Sequence, residues 1–154
     1  MMLSRLSLSR SLLARRKIST TLIREPANQA IANFHSSAAR FQIPQLGCVY
    51  QRDDRDFPMT LDDAGDTPVI VEFYADWCAP CRVLYPILKN VVEKNGKTFL
   101  VKVNIENADD TAEKYSISSV PTVAAFKRGE MIDRFVGSRS EADVTKFVEK
   151  AVSS

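Results

Sequence analysis

From Gly47 onward the chain alternates between two hydrophobic rhythms. Pro68–Tyr74 (Pro-Val-Ile-Val-Glu-Phe-Tyr) is a β-branched and aromatic run bounded by a proline and a turn, which predicts a buried strand. Val83, Leu84, Ile87, Leu88, Val91 and Val92 then recur at helical spacing, and Asn95-Gly96 closes that stretch, glycine supplying the left-handed backbone of a helix exit. Pro86 inside this helix lacks a backbone donor and predicts a kink. Thr98–Asn104 returns to alternation, with Phe99, Val101 and Val103 on one side and Leu100, Lys102 and Asn104 on the other. A short helix is expected near Asp109–Tyr115. Pro121–Lys127 and Met131–Val136 read as strands joined through Arg128-Gly129 in an antiparallel hairpin. The stripe Val144, Phe147, Val148, Ala151 and Val152 predicts a terminal helix, with Ser140 and Asp143 ahead of it at capping-box spacing. Earlier in the chain, Cys48–Tyr50 reads as a short first strand, and the polar Arg52–Ala64, which holds Pro58, as a loop and a short helix. This order predicts an α/β domain with a mixed central sheet flanked by helices on both faces.

Charge divides the chain in two. Residues 1–40 carry seven basic side chains and the single acid Glu25, a net of +6, and are rich in Ser, Leu and Ala. That composition predicts a cleavable organelle-targeting transit peptide over 1–40, followed by one domain over 41–154. A secretory signal is a poor fit, because Leu6, Leu8, Leu12 and Leu13 are interrupted by Ser7, Ser9, Arg10 and Ser11. Met2, Leu3, Leu6 and Leu13 share a helical side into which Arg10 and Lys17 intrude, so a basic tail that stays attached is the alternative. The arginine content favours the mitochondrion (matrix) over the chloroplast, with processing near Arg40–Phe41. Residues 41–154 hold fourteen basic and eighteen acidic residues, a net of −4. The overall +2 and the pI of 8.5 therefore give no reason to expect a nucleic-acid partner. No run of apolar residues approaches the roughly 18 or more that a membrane-spanning helix needs, so no membrane span is expected. Three cysteines are too few, and odd in number, for a disulfide-stapled scaffold.

The candidate chemistry lies in Ala75-Asp76-Trp77-Cys78-Ala79-Pro80-Cys81-Arg82, between the predicted buried strand and the predicted long helix. Two cysteines three apart at a helix start can close a small disulfide ring with little backbone change. The first also meets the unpaired N–H groups of the opening turn. Those dipoles favour a negative charge by roughly 0.3–1 kcal/mol, up to ~2 kcal/mol where partly buried, enough to lower an ordinary thiol pKa by about one pH unit. Cys78 is then partly thiolate near neutral pH yet still a competent nucleophile. Cys81, one turn inward, is expected to be the shielded, resolving thiol. Two other readings stand beside this one. The pair could be half of a zinc site, for which Cys48 and His35 are the remaining donors, or two inert core cysteines. Cys48 itself reads as a small buried residue of the first strand, or else as a second redox or dimerising thiol. The acids Asp53, Asp54, Asp56, Asp62 and Asp63 read as solvated surface.

Trp-Cys-Ala-Pro-Cys (77–81) after Val-Glu-Phe-Tyr-Ala (71–75) resembles the active-site stretch of the thioredoxin family. Lys-Val-Asn-Ile-Glu (102–106), Val-Pro-Thr (120–122) and Gly137 after the last strand accompany it in the same order, and the likeness runs from about Cys48 to Val152. The resemblance implies a thioredoxin-like fold and a protein-disulfide reductase, with Cys78 as the attacking and Cys81 as the resolving thiol. It implies a cis bond before Pro121 and a shallow apolar groove bordered by Trp77, Pro80, Val120, Pro121 and Gly137 that accepts an extended client segment. No cofactor would be bound. Electrons would come from NADPH through thioredoxin reductase, clients would include peroxiredoxins, and the chain would act as a monomer. Two positions depart from the family pattern. Ala79 stands where the family usually has Gly, and favours helix over Gly by ~1 kcal/mol. Glu72 stands where a buried Asp is usual, facing a lysine on the neighbouring strand, here Lys102. A carboxylate in an apolar strand has a raised pKa, which suits a general base for the resolving thiol. A purely structural Glu72–Lys102 pair is the alternative. A non-catalytic thioredoxin-fold interaction module is the competing function. A secretory oxidase or isomerase fits less well, since Ala79-Pro80 holds no His and the chain ends Ala-Val-Ser-Ser.

Overall fold

The computed structural model describes residues 44–154. The leader expected over 1–40, and His35 within it, lie outside the described residues. Among the described residues nine elements follow one another: β1 (Val49–Arg52), α1 (Asp56–Ala64), β2 (Val69–Tyr74), α2 (Ala79–Asn95), β3 (Phe99–Asn104), α3 (Asp109–Lys114), β4 (Thr122–Lys127), β5 (Glu130–Val136) and α4 (Glu141–Ser153). The strands form one sheet in the order β1-β3-β2-β4-β5. The first three run parallel, β4 adds antiparallel to β2 and β5 antiparallel to β4, giving the expected mixed sheet.

Strand alternation sends successive side chains to opposite faces, so β2 and β3 build two cores at once. Toward α1, Val71 and Phe73 of β2 and Val101 and Val103 of β3 meet Phe57 and Leu61. Edge-to-face ring contacts knit this side, with centroids 5.7 Å apart for Phe57–Phe126 and 5.0 Å for Tyr115–Phe126. Toward α2 and α4, Ile70, Leu100, Val123 and Ala125 pack on Leu84, Leu88, Val91 and Val92 of α2 and on Val144, Val148 and Ala151 of α4.

The helix ends obey local chemistry. Ser140 caps α4, its Oγ accepting the Asp143 N–H at 3.2 Å. Gly96 closes α2 at φ +65°, and its N–H donates to the Val92 carbonyl at 3.1 Å. Pro58 falls in the first turn of α1, where a missing N–H costs little. α2 continues as one helix through Pro86.

Two expectations are corrected. β1 begins at Val49, leaving Cys48 just before it and half-buried instead of buried; β1 is an edge strand, paired with β3 alone. Val83, placed in the core stripe by spacing, is 63% exposed. The face of α2 that meets the sheet is Leu84, Leu88, Val91 and Val92, and Val83 points about a quarter-turn away from it.

Candidate active site

β2 delivers the chain to the site. Beyond Tyr74, the Cys78 N–H donates to the Ala75 carbonyl at 3.1 Å, a tight turn that leads directly into α2. The turn is pinned from the segment after β3, since Glu106 Oε2 accepts the Asp76 N–H at 3.0 Å and Asn104 Oδ1 in turn accepts the Glu106 N–H at 3.0 Å. Arg82, from the first turns of α2, reaches back and donates to the Asp76 carbonyl at 2.9 Å.

Cys78 is itself the N-cap of α2. Its extended backbone (φ −77°, ψ 96°) turns its Sγ over the opening turn, where the Cys81 N–H donates to it at 3.3 Å. Ala79-Pro80 opens the helix, a place where proline's missing donor is not needed. Cys78 and Cys81 form a disulfide with Cα atoms 5.4 Å apart. One sulfur of the pair thus lies where the helix dipole best stabilises negative charge.

The expected contrast in exposure is corrected. Cys78 is 2% exposed and Cys81 4%, so in this disulfide form neither is the open one. Ala75 and both cysteines form a small cluster against which Tyr74, Ile105 and Val120 pack. What distinguishes the two sulfurs is position on the helix: Cys78 caps it and Cys81 lies within it.

The other predicted residues gather around this cluster. Val120 packs directly on it, and the Val120–Pro121 peptide bond is cis. The Pro121 carbonyl accepts the Gly137 N–H at 2.8 Å, which ties the end of β5 to the Val-Pro segment. Gly137 has φ +85° and no heavy atom within 4 Å of where a Cβ would lie, so glycine is favoured there by backbone conformation and not by crowding. Trp77 is 66% exposed, and Ala79 and Pro80 are exposed beside it. Val83, one turn after Ala79 and Pro80, extends the same apolar surface, which spacing alone had assigned to the core.

Glu72 is fully buried on the face of β2 that looks toward α2, two residues before Tyr74. Neither of its carboxylate oxygens has a hydrogen-bonding group of the protein. Burial pushes its pKa up to about 7, against the opposing pull of Lys102. Lys102 is its registered neighbour on β3, yet the ammonium does not pair with it. Lys102 Nζ lies instead 4.1 Å from the ring centroid of Tyr74 and 4.1 Å from that of Tyr85. Such a contact is worth roughly 0.5–2 kcal/mol according to how far the cation is desolvated. Tyr74, Asp76, Cys81, Arg82, Tyr85 and Lys102 border a cavity of about 260 Å³. The sequence reading missed Tyr74, Tyr85, Asp76 and Arg82. Their signal was present: Tyr74 is two residues from Glu72 on one strand face, and Tyr85 is one helical turn from Cys81.

Among the described residues no group of three or more His, Cys, Asp or Glu is placed to hold a metal ion, so the zinc reading finds no further donors there. The inert-core reading does not account for a half-cystine at a helix cap, nor for an unpartnered carboxylate buried on the strand that leads to it.

Comparison with known proteins agrees with the site. The family model described as thioredoxin matches residues 49–150. Mitochondrial thioredoxin of Bos taurus is 44% identical over 88 residues, covering 56% of this chain and 53% of that protein. Thioredoxin C-2 of Corynebacterium nephridii is 37% identical over 100 residues, covering 64% of this chain and 92% of the bacterial one. The chloroplastic M-type thioredoxin of Pisum sativum is 42% identical over 88 residues, covering 56% of this chain and 51% of its own length. The chain thus spans about half the length of the organellar relatives it matches. With all five strands and both cysteines inside the matched region, the chain belongs to the thioredoxin family.

Proposed function

We propose that the protein reduces disulfide bonds in other proteins by dithiol–disulfide exchange at Cys78 and Cys81. The observation that carries this reading is the Cys78 sulfur capping α2 and bonded to Cys81, with the unpartnered Glu72 buried on the side of β2 that faces α2. In the reduced chain, the Cys78 thiolate attacks one sulfur of a client disulfide. A Cys78–client disulfide forms and the other client sulfur leaves as a thiolate, which takes up a proton. Cys81 then gives its proton to the Glu72 carboxylate through the intervening solvent and attacks Cys78 Sγ. The Cys78–Cys81 disulfide forms and the second client sulfur leaves. Two electrons have moved from the dithiol to the client, and the two cysteines carry them without a prosthetic group. The disulfide form described above is the product of this half-reaction.

A carboxylate titrating near pH 7 can accept a proton at neutral pH and return it when the disulfide is reduced again. Trp77, Pro80, Val120, Pro121 and Gly137 border the client segment, whose backbone is taken up beside the cis Val120–Pro121 bond. Lys102 supports the proton relay electrostatically. Electrons return from NADPH through thioredoxin reductase, and peroxiredoxins are among the clients. The chain works as a monomer in the mitochondrial matrix, addressed there by residues 1–40 and freed of them on import. The likeness to mitochondrial thioredoxins supports that compartment, and the arginine content of residues 1–40 is what favours it over the chloroplast, whose M-type thioredoxins are about as similar.

The test is insulin reduction coupled to NADPH oxidation in the presence of thioredoxin reductase. The wild-type chain should turn over. In cells, Cys81→Ser should accumulate mixed disulfides in the mitochondrial fraction, and Cys78→Ser should accumulate none. If the wild-type chain consumes no NADPH and Cys81→Ser traps nothing, the protein is an interaction module.

A further inference from the structure

Lys102 is placed in an unexpected way for a lysine beside a buried acid. β2 and β3 are in register so that Glu72 and Lys102 are direct neighbours on the face toward α2. A direct ion pair would satisfy both. The carboxylate nonetheless has no hydrogen-bonding partner, while Lys102 Nζ is equidistant, at 4.1 Å, from the rings of Tyr74 and Tyr85. Tyr74 comes from the end of β2 and Tyr85 from the second turn of α2, so the cation is gripped by two different elements. We propose that Tyr74 and Tyr85 form an aromatic clamp that holds the Lys102 ammonium at the cavity beside Cys81 and off the Glu72 carboxylate, which makes Tyr85 a positioning residue for the proton transfer at Cys81.

The inference rests on the proposed function for its consequence, but not for its geometry. The surroundings leave Lys102 as the cation that matters to Glu72. From β2 come Tyr74 and, past its end, Asp76. From α2 come Cys81, Arg82 and Tyr85. Arg82 is engaged with the Asp76 carbonyl. β4 sets the apolar Val123 opposite Glu72, β1 sets Gln51 opposite Lys102, and α4 brings Val144, Val148 and Ala151 to this face. A free ammonium on a four-carbon stem would swing toward the carboxylate and stabilise its charged form. Held between two ring faces, it acts only at longer range, and burial dominates. The clamp thereby lets a residue one methylene longer than Asp remain protonatable near neutral pH.

The experiment is a 13C-carboxyl titration of Glu72 in the full, disulfide-bonded chain, where neither cysteine co-titrates and no turnover is needed. Tyr85→Leu should lower the Glu72 midpoint by about one pH unit or more, as an opposite charge within reach does. Tyr85→Phe, which keeps the ring face, should leave the midpoint at its wild-type value. Tyr74→Leu is the independent second arm and should also lower it. Water entering the space left by Tyr85 would lower the midpoint too, so the decisive comparison is made in Lys102→Met, where Tyr85→Leu should cause no further change. An unchanged midpoint in folded Tyr85→Leu, or an equal fall with and without Lys102, overturns the clamp. Failure of insulin reduction with these shifts intact would overturn the proposed function and leave the clamp standing.

Discussion

The two faces of the same sheet are built from the same strands and do different work. On the α1 side, Phe57, Phe73, Phe99 and Phe126 interlock with Val71, Val101 and Val103, every one of them buried and apolar. On the α2 side, the apolar packing of Ile70, Leu100, Leu84 and Leu88 is interrupted by the neighbouring pair Glu72 and Lys102. A carboxylate buried without a partner opposes folding whenever it is charged. Both faces carry an apolar core, but only the α2 face also carries a buried acid, so only that side of the sheet has a stability that depends on pH.

The comparison can be broken most severely from the aromatic side. Phe126→Ala should lose about 3–5 kcal/mol of unfolding free energy in urea, from lost burial and the cavity left behind. That loss should be nearly the same at pH 5 and pH 8, since no titrating group is involved.

Glu72→Gln sharpens the contrast with the other face. The unfolded chain loses this proton near its ordinary 4.5, and the folded chain near 7. Between those values the folded state holds the proton that the unfolded state has released, so wild-type stability falls as pH rises and levels off above about 7. Glutamine removes that slope. The stability difference in favour of Glu72→Gln should therefore grow by about 3 kcal/mol from pH 4 to pH 8, at ~1.4 kcal/mol per pH unit of separation. Stopped-flow measurement should show slower resolution of the mixed disulfide by Cys81 in the same variant. Parallel urea curves for the two proteins at all pH values would remove Glu72 from both accounts.

Ser140→Ala loosens only the α4 cover of the α2 face and should cost about 1 kcal/mol, the usual loss for a helix cap. The smallest effect is expected at Val83, where Val83→Ser should change stability by no more than about 0.5 kcal/mol, read from the urea midpoint. A larger loss would return Val83 to the core and restore the simple spacing rule.

Much of this was legible beforehand because it is local. The strand over Val69–Tyr74, the exit of α2 at Gly96, the Ser140 cap and the hairpin through Arg128-Gly129 follow from side-chain periodicity and short-range backbone sterics. The Cys-X-X-Cys spacing at the opening of α2, and Glu72 as a lone acid in an apolar run, were equally visible. Which side of α2 meets the sheet was not, and Val83 was misplaced for that reason. The sequence marks only Cys81 as shielded, and the packing of Tyr74, Ile105 and Val120 around the disulfide shows Cys78 covered as well.

By itself, then, the amino-acid order determined the elements, the cysteine pair at the opening of α2 and the acid in the apolar strand. The tertiary structure decided the sheet order β1-β3-β2-β4-β5, the register that sets Lys102 beside Glu72, and the choice of Lys102 to lie between two tyrosines instead. The reason is range. Helical and strand periods are settled among near neighbours, whereas the charge state of Glu72 depends on side chains that β3 and α2 bring to it only after the chain has packed.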